Sequence, residues 1–134
     1  MKRSRLPNTV LPEPVSDRPE HWLDNTPLLD LSDPKLRLKA RALTQLARSE
    51  RQKALAIYAF VKRLPYAKRI KLEYPTAADV VRQHGGDGDD KATLFVALLR
   101  ASGIAARIRY MEMSGIMLRG LGTSPRSMMP LISM

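Results

Sequence analysis

The sequence predicts an α+β domain, with a helical N-terminal part and a buried central helix packed on a small, incomplete antiparallel sheet. Helical periodicity recurs in four segments between residues 33 and 101, whereas a clear alternation of apolar and polar residues appears only after them. Ala92 and residues 94–99 are apolar nearly all round a helix, which places that helix in the middle of the fold. With 134 residues, the chain fits one compact domain at residues 31–134, preceded by a proline-rich arm at residues 1–30.

The composition excludes several classes of site. There is no cysteine, which removes disulfides, thiolate metal sites and cysteine nucleophiles, and two histidines are too few for a histidine-based metal centre. We therefore expect no metal and no cofactor. No apolar run is long enough to span a bilayer, and no apolar core follows the basic first residues as in a secretory signal, so the expected location is cytoplasmic.

The first element is the arm, which contains five prolines and no sustained apolar period. We expect it to be extended over the domain and held by packed apolar side chains, namely those of Trp22, Leu28, Leu29 and Leu31.

The first helix is expected to begin after Asp33, a good N-cap followed by a proline, and to run through residue 48 with an apolar stripe at helical spacing. A second helix follows Ser49, which with Gln52 forms a predicted capping box. Its unbroken apolar run at residues 54–61 predicts burial on most sides, and Pro65 ends it.

A third helix is expected between Thr76, its N-cap, and Gly85, its C-terminal stop, with His84 as a helix-end residue favoured by the dipole. Residues 66–75 before it are predicted to be exposed and extended. The central helix is placed at residues 89–101, followed by a strand at 104–113, a glycine-containing connection and the start of a second strand at 128–134.

The segment "GGDGDDK" combines glycines and acids at the start of the central helix. Free backbone N–H groups and the positive end of the dipole stabilise negative charge there, so a thiol at this point would have a lowered pKa. Two glycines just before it are expected to leave room for a substrate. Residue 88 stands at the centre of this arrangement, yet it is a glycine. Gly86, Asp87, Asp89 and Asp90 are its candidate cleft neighbours.

The run "GGDGDDKATLFVALLRASGIAARIRY" resembles the nucleophile segment of the transglutaminase-like superfamily, whose members share a papain-like fold. The most specific part is the Leu-Leu-Arg-Ala-x-Gly-Ile-x-Ala-Arg run at residues 98–107, and the similarity extends over residues 54–110. The resemblance implies a parent activity of cysteine-dependent amide hydrolysis or acyl transfer on a peptide or protein.

The departures from this family concern all three members of its Cys-His-Asp triad. The nucleophilic cysteine aligns with Gly88, no histidine occurs from residue 114 to 134, and the position of the third member falls past residue 134. The resemblance therefore implies a degenerate member, truncated in the C-terminal sheet and inactive as written, because glycine supplies neither nucleophile nor base. We interpret the acids at 87, 89 and 90 as dipole partners, not as a carboxylate or metal site.

Three hypotheses remain for what the chain does. A degenerate domain would bind a peptide or protein without turning it over. Alternatively, the net charge of +10 suggests a basic module that uses residues 35–41 and 62–71 on nucleic acid or an acidic protein, although nothing indicates specific nucleic-acid recognition. Finally, an unfinished sheet has an open edge through which two copies would pair as a homodimer.

Overall fold

The computed structural model describes residues 18–67, 73–114 and 126–133, which form an α+β fold. A short 3-10 helix, Pro19–Leu23, precedes four α-helices and two strands. These are α1 Pro34–Thr44, α2 Glu50–Arg63, α3 Ala77–Gln83, α4 Gly88–Ala101, β1 Arg107–Ser114 and β2 Arg126–Ser133.

Helix α4 is the centre of the molecule. It packs against the other three helices and both strands, and Leu94, Val96, Leu98 and Leu99 are fully buried. The apolar circumference of this helix therefore predicted its place correctly. Its first residue is Gly88, one position before the predicted start.

Helix α1 begins as expected, because the Asp33 carboxylate accepts a hydrogen bond from the backbone N–H of Leu36 at 3.0 Å and Pro34 is the first helical residue. It ends at Thr44, about a turn earlier than predicted. The Thr44 hydroxyl donates to the Ala40 carbonyl at 2.8 Å, a local bond that competes with continuation of the helix.

Helix α2 differs from its prediction in two respects. Ser49 accepts from the N–H of Gln52 at 3.2 Å, but Gln52 accepts from the N–H of Arg48, so the reciprocal bond of a capping box is not made to Ser49. The apolar run is also not buried on most sides. Leu55 and Tyr58 face solvent, while Ile57 and Val61 face the core.

Helix α3 has the predicted N-terminal capping box, in which the Thr76 hydroxyl accepts from Asp79 N–H and the Asp79 carboxylate accepts from Thr76 N–H. Its C-terminus was predicted one residue too late. His84 itself takes the left-handed conformation, with φ of 55°, and its N–H donates to the carbonyls of Val80 and Val81. His84 is exposed and lies outside the apolar face.

The described part of the N-terminal arm is not simply extended, because residues 19–23 form the 3-10 helix. Trp22 and Leu29 are buried, and Leu31 packs on the core, as expected of residues that hold this segment. Backbone bonds fix it further: the Trp22 carbonyl accepts from Ala106 and the Leu28 carbonyl accepts from Ala77. The segment is thus part of the packed domain.

The two strands pair antiparallel, with Arg107 opposite Ser133 and Ser114 opposite Arg126. Ala106, just before β1, is buried, and the side chains of Ile108 and Ile132 pack on the core. Both strands of the sheet pack against α4. The predicted connection at residues 115–125 and the predicted extended segment at 68–72 lie outside the described residues.

Candidate functional site

The start of α4 is fixed by two carboxylates. Asp87 is the N-cap, and its side chain accepts a hydrogen bond from the N–H of Asp90 at 3.0 Å. The Asp90 side chain accepts in return from the N–H of Asp87 at 3.1 Å. This reciprocal pair satisfies two of the backbone donors that a helix start leaves unpaired, and it holds residue 88 in the first turn.

Asp90 is the more enclosed of the two acids, with 4% of its surface exposed, whereas Asp87 and Asp89 are half-buried. The capping bonds give Asp87 and Asp90 a structural role at the helix start, in agreement with their interpretation as partners of the dipole. Within residues 18–67, 73–114 and 126–133, no three His, Cys, Asp or Glu side chains are grouped as metal ligands.

Gly88 is exposed, and an added Cβ atom at this residue would meet no atom of residues 18–67, 73–114 or 126–133 within 4 Å. Its φ lies outside the left-handed range, so the backbone accepts any residue here. The start of a helix that is otherwise buried thus presents one position that opens to free space and carries no side chain.

Gly85 and Gly86 have the opposite environment. Both are buried, and a Cβ at Gly85 would lie 2.7 Å from the Pro65 carbonyl oxygen. A Cβ at Gly86 would lie 2.6 Å from Cβ of Asp90. The expectation that these glycines leave room for a substrate is therefore wrong, because the protein itself fills that space.

The close approach at these glycines joins the end of α2 to the start of α4. Gly86 N–H donates to Pro65, and Ala67 N–H donates to Gly86, as a short parallel bridge. The Lys91 ammonium group also reaches the Leu64 carbonyl. No local sequence pattern indicates this connection, because its partners lie about twenty to thirty residues apart along the chain.

Arg100 is a second residue whose position the sequence did not reveal. Its side chain is buried, and it donates to the carbonyls of Ala106 and Asp24, both at 2.7 Å. Its guanidinium carbon lies 5.9 Å from the Trp22 ring centre, and that of Arg107 lies 4.8 Å from it. Arg100 belongs to the quoted family-like run, and here it links α4 to the residue just before β1 and to the N-terminal segment.

The histidine near the predicted site is not part of α4. His84 lies at the exposed end of α3, four residues before Gly88. In the part of the chain that the structure describes, no helix has the length and apolar character needed to cross a membrane.

Comparisons with known proteins agree with the fold described above. The family model of the transglutaminase-like superfamily matches residues 37–121, which is more than half of the chain. No curated protein gives a match.

One solved structure is similar, that of a candidate cysteine protease from Cytophaga hutchinsonii. The TM-score is 0.68 at 20% sequence identity, over 88% of this chain and 38% of that one. At this identity the likeness establishes a shared fold. This chain spans less than half of the length of that protein.

Proposed function

The chain belongs to the transglutaminase-like superfamily, and on this premise we propose that it is a degenerate member that binds a peptide or protein segment without turning it over. Residue 88 is proposed as the position of the nucleophile in active relatives. Asp87, Asp89 and Asp90 then border the ligand site, with Gly86 behind them as a packing residue.

The observation that carries this proposal is the open position at Gly88. A Cβ atom added at this residue meets no atom of the described residues within 4 Å, although the helix behind it is held by buried contacts along most of its length. Space in front of a rigidly held helix start is the arrangement that a thiolate nucleophile requires, since the positive end of the helix dipole stabilises its charge.

The proposed lack of turnover follows from the chemistry of the family reaction. A thiolate attacks the amide carbonyl, and a general acid protonates the departing amine to leave a thioester. Water or another amine then attacks the thioester, which releases the acyl group and restores the thiolate. Glycine provides no attacking atom, and none of the 134 residues is a cysteine. Binding without a nucleophile retains only a small part of such a rate.

The placement of residue 88 can be tested with Gly88→Cys, which introduces a single thiol into a chain that has none. The thiol pKa is measured from the pH dependence of alkylation by iodoacetamide. The matched control is Leu46→Cys, because Leu46 is 88% exposed and follows the C-terminal end of α1. We expect a clearly lower pKa at residue 88, and equal values in the two variants would contradict the proposed site.

Ligand binding is tested with the same variant. A glutamine-containing decapeptide is expected to slow alkylation of Gly88→Cys and to leave that of Leu46→Cys unchanged. The native chain is expected to release no ammonia or amine from this peptide. Peptide hydrolysis by the native chain would contradict the lack of turnover, and equal protection of both thiols would contradict binding at residue 88.

A further inference from the structure

The solvent-facing side of α2 carries an unusual row of side chains. Arg51, Leu55, Tyr58 and Lys62 are spaced by four, three and four residues, so they lie along one face of the helix. All four are exposed, and Leu55 and Tyr58 retain 51% and 48% of their surface. We call these four residues the α2 stripe.

The aromatic side chain of the α2 stripe, Tyr58, contacts side chains of α4 and of α2 itself. The Tyr58 ring lies 6.0 Å from the ring of Phe95 in α4, and the Lys62 ammonium group lies 5.8 Å from the Tyr58 ring centre. The opposite side of α2 is anchored by Ile57 and Val61 in the core. An apolar centre with a cation at each end is therefore presented on a rigid element.

The stripe lies in the most basic part of the chain. Residues 34–63, which form α1 and α2 with their connection, contain nine Lys and Arg side chains and one acid, Glu50. Most of the net charge of +10 thus resides on this helical hairpin. Such a field attracts negatively charged partners and raises their rate of association.

We propose that the α2 stripe is a docking site for an acidic amphipathic segment of a protein partner. Apolar side chains of the partner cover Leu55 and Tyr58, while its carboxylates pair with Arg51 and Lys62. The stripe extends over twelve residues, or about 16 Å between its first and last members, which is the length of about three turns of a partner helix. This surface is distinct from the ligand site at Gly88, and the proposal does not require that site.

Charge and apolar surface area favour an acidic amphipathic segment over a second copy of the chain, nucleic acid or a membrane surface. A second copy of the chain would bring Arg51 and Lys62 against like charges, which disfavours a symmetric pair. Nucleic acid would contact the cations but leave Leu55 without an apolar partner. A membrane surface needs a broad apolar face along a helix, whereas this stripe offers two half-exposed side chains.

The test is a titration followed by amide NMR, with a sixteen-residue acetylated helical peptide that carries leucines on one face and glutamates on the other. We expect the largest shifts at residues 51–62 of the native chain. Leu55→Asp should weaken binding by about tenfold or more, because it places a charge in the apolar centre. The matched control is Leu38→Asp, since Leu38 is 65% exposed on the equally basic α1.

Two charge-reversal variants distinguish binding at the α2 stripe from attraction by the positive charge of the whole hairpin. Lys62→Glu and Lys35→Glu change the net charge equally, but only Lys62 belongs to the stripe. We expect a clear loss of affinity for Lys62→Glu and less than about a threefold loss for Lys35→Glu, where only the screened field changes.

Three results would overturn the proposal. These are no binding of the peptide, equal losses in the α1 and α2 variants, or tighter binding of duplex DNA or of phosphatidylserine vesicles at residues 51–62. Circular dichroism of each variant verifies that a loss of binding does not reflect unfolding. A sedimentation measurement of the native chain detects pairing of two copies, and pairing that Leu55→Asp abolishes would assign the stripe to that contact instead.

Discussion

Gly86 and Gly88 are two residues apart, and the structure requires glycine at only one of them. At Gly86 a Cβ atom would lie 2.7 Å from the Asp90 carboxylate, which itself caps the helix. At Gly88 the same atom would meet nothing in the part of the chain that the structure describes. Packing therefore accounts for the first glycine, whereas nothing in the structure accounts for the second.

Alanine substitution at these residues is expected to separate the two cases. Gly86→Ala should lower the free energy of unfolding by about 1–3 kcal/mol, because Asp90 must move from its capping position. Gly88→Ala should leave it unchanged or raise it by less than about 1 kcal/mol, because alanine restricts the unfolded chain. Urea denaturation of both variants measures the difference, and equal destabilisation would contradict the environments described for the two residues.

At the scale of the element, capping residues were easier to predict than burial. Asp33 and Thr76 are N-caps in the structure, as their local sequence indicated. The prediction that α2 is buried on most sides was wrong. Its unbroken apolar run does not indicate which side of the helix meets α4, because packing decides this. One face of α2, with Leu55 and Tyr58, is consequently left exposed to solvent.

The stability of the domain is expected to depend on the side chain of Asp87, which caps helix α4. Asp87→Ala removes the acceptor for the Asp90 N–H and should reduce stability by about 1 kcal/mol, within a range of about 0.5–2. Asp87→Asn keeps an acceptor oxygen in the same place and should reduce stability by much less. Thermal unfolding of both variants followed by circular dichroism tests this, and similar losses would show that the charge matters more than the cap.

At the scale of the whole molecule, the N-terminal segment and the strand region are held together by α4. Trp22 lies near two guanidinium groups, one from α4 and one from β1. Arg100 also bonds to the carbonyl of Asp24, a contact across 76 residues of sequence. We therefore expect residues 18–31 to unfold together with the helices.

Trp22 is the single tryptophan, so its fluorescence reports on this segment alone. Its urea transition should coincide with the transition in helical circular dichroism, as in a cooperative two-state unfolding. A fluorescence change at clearly lower urea would mean that the segment detaches before the domain unfolds. Leu38→Asp serves as a control, because a surface change on α1 should not separate the two signals.

Four features could be predicted from the sequence, namely the α+β class, the central place of α4, most helix starts and the family. Each of these depends on local patterns, namely periodicity, capping residues and a contiguous motif at residues 98–107. Tertiary structure alone decided that Gly86 is packed while Gly88 is open, that Arg100 joins three parts of the chain, and that Leu55 and Tyr58 face solvent. These features depend on contacts between residues far apart in the chain, and their energies come from fitting side chains in space, which no local pattern records.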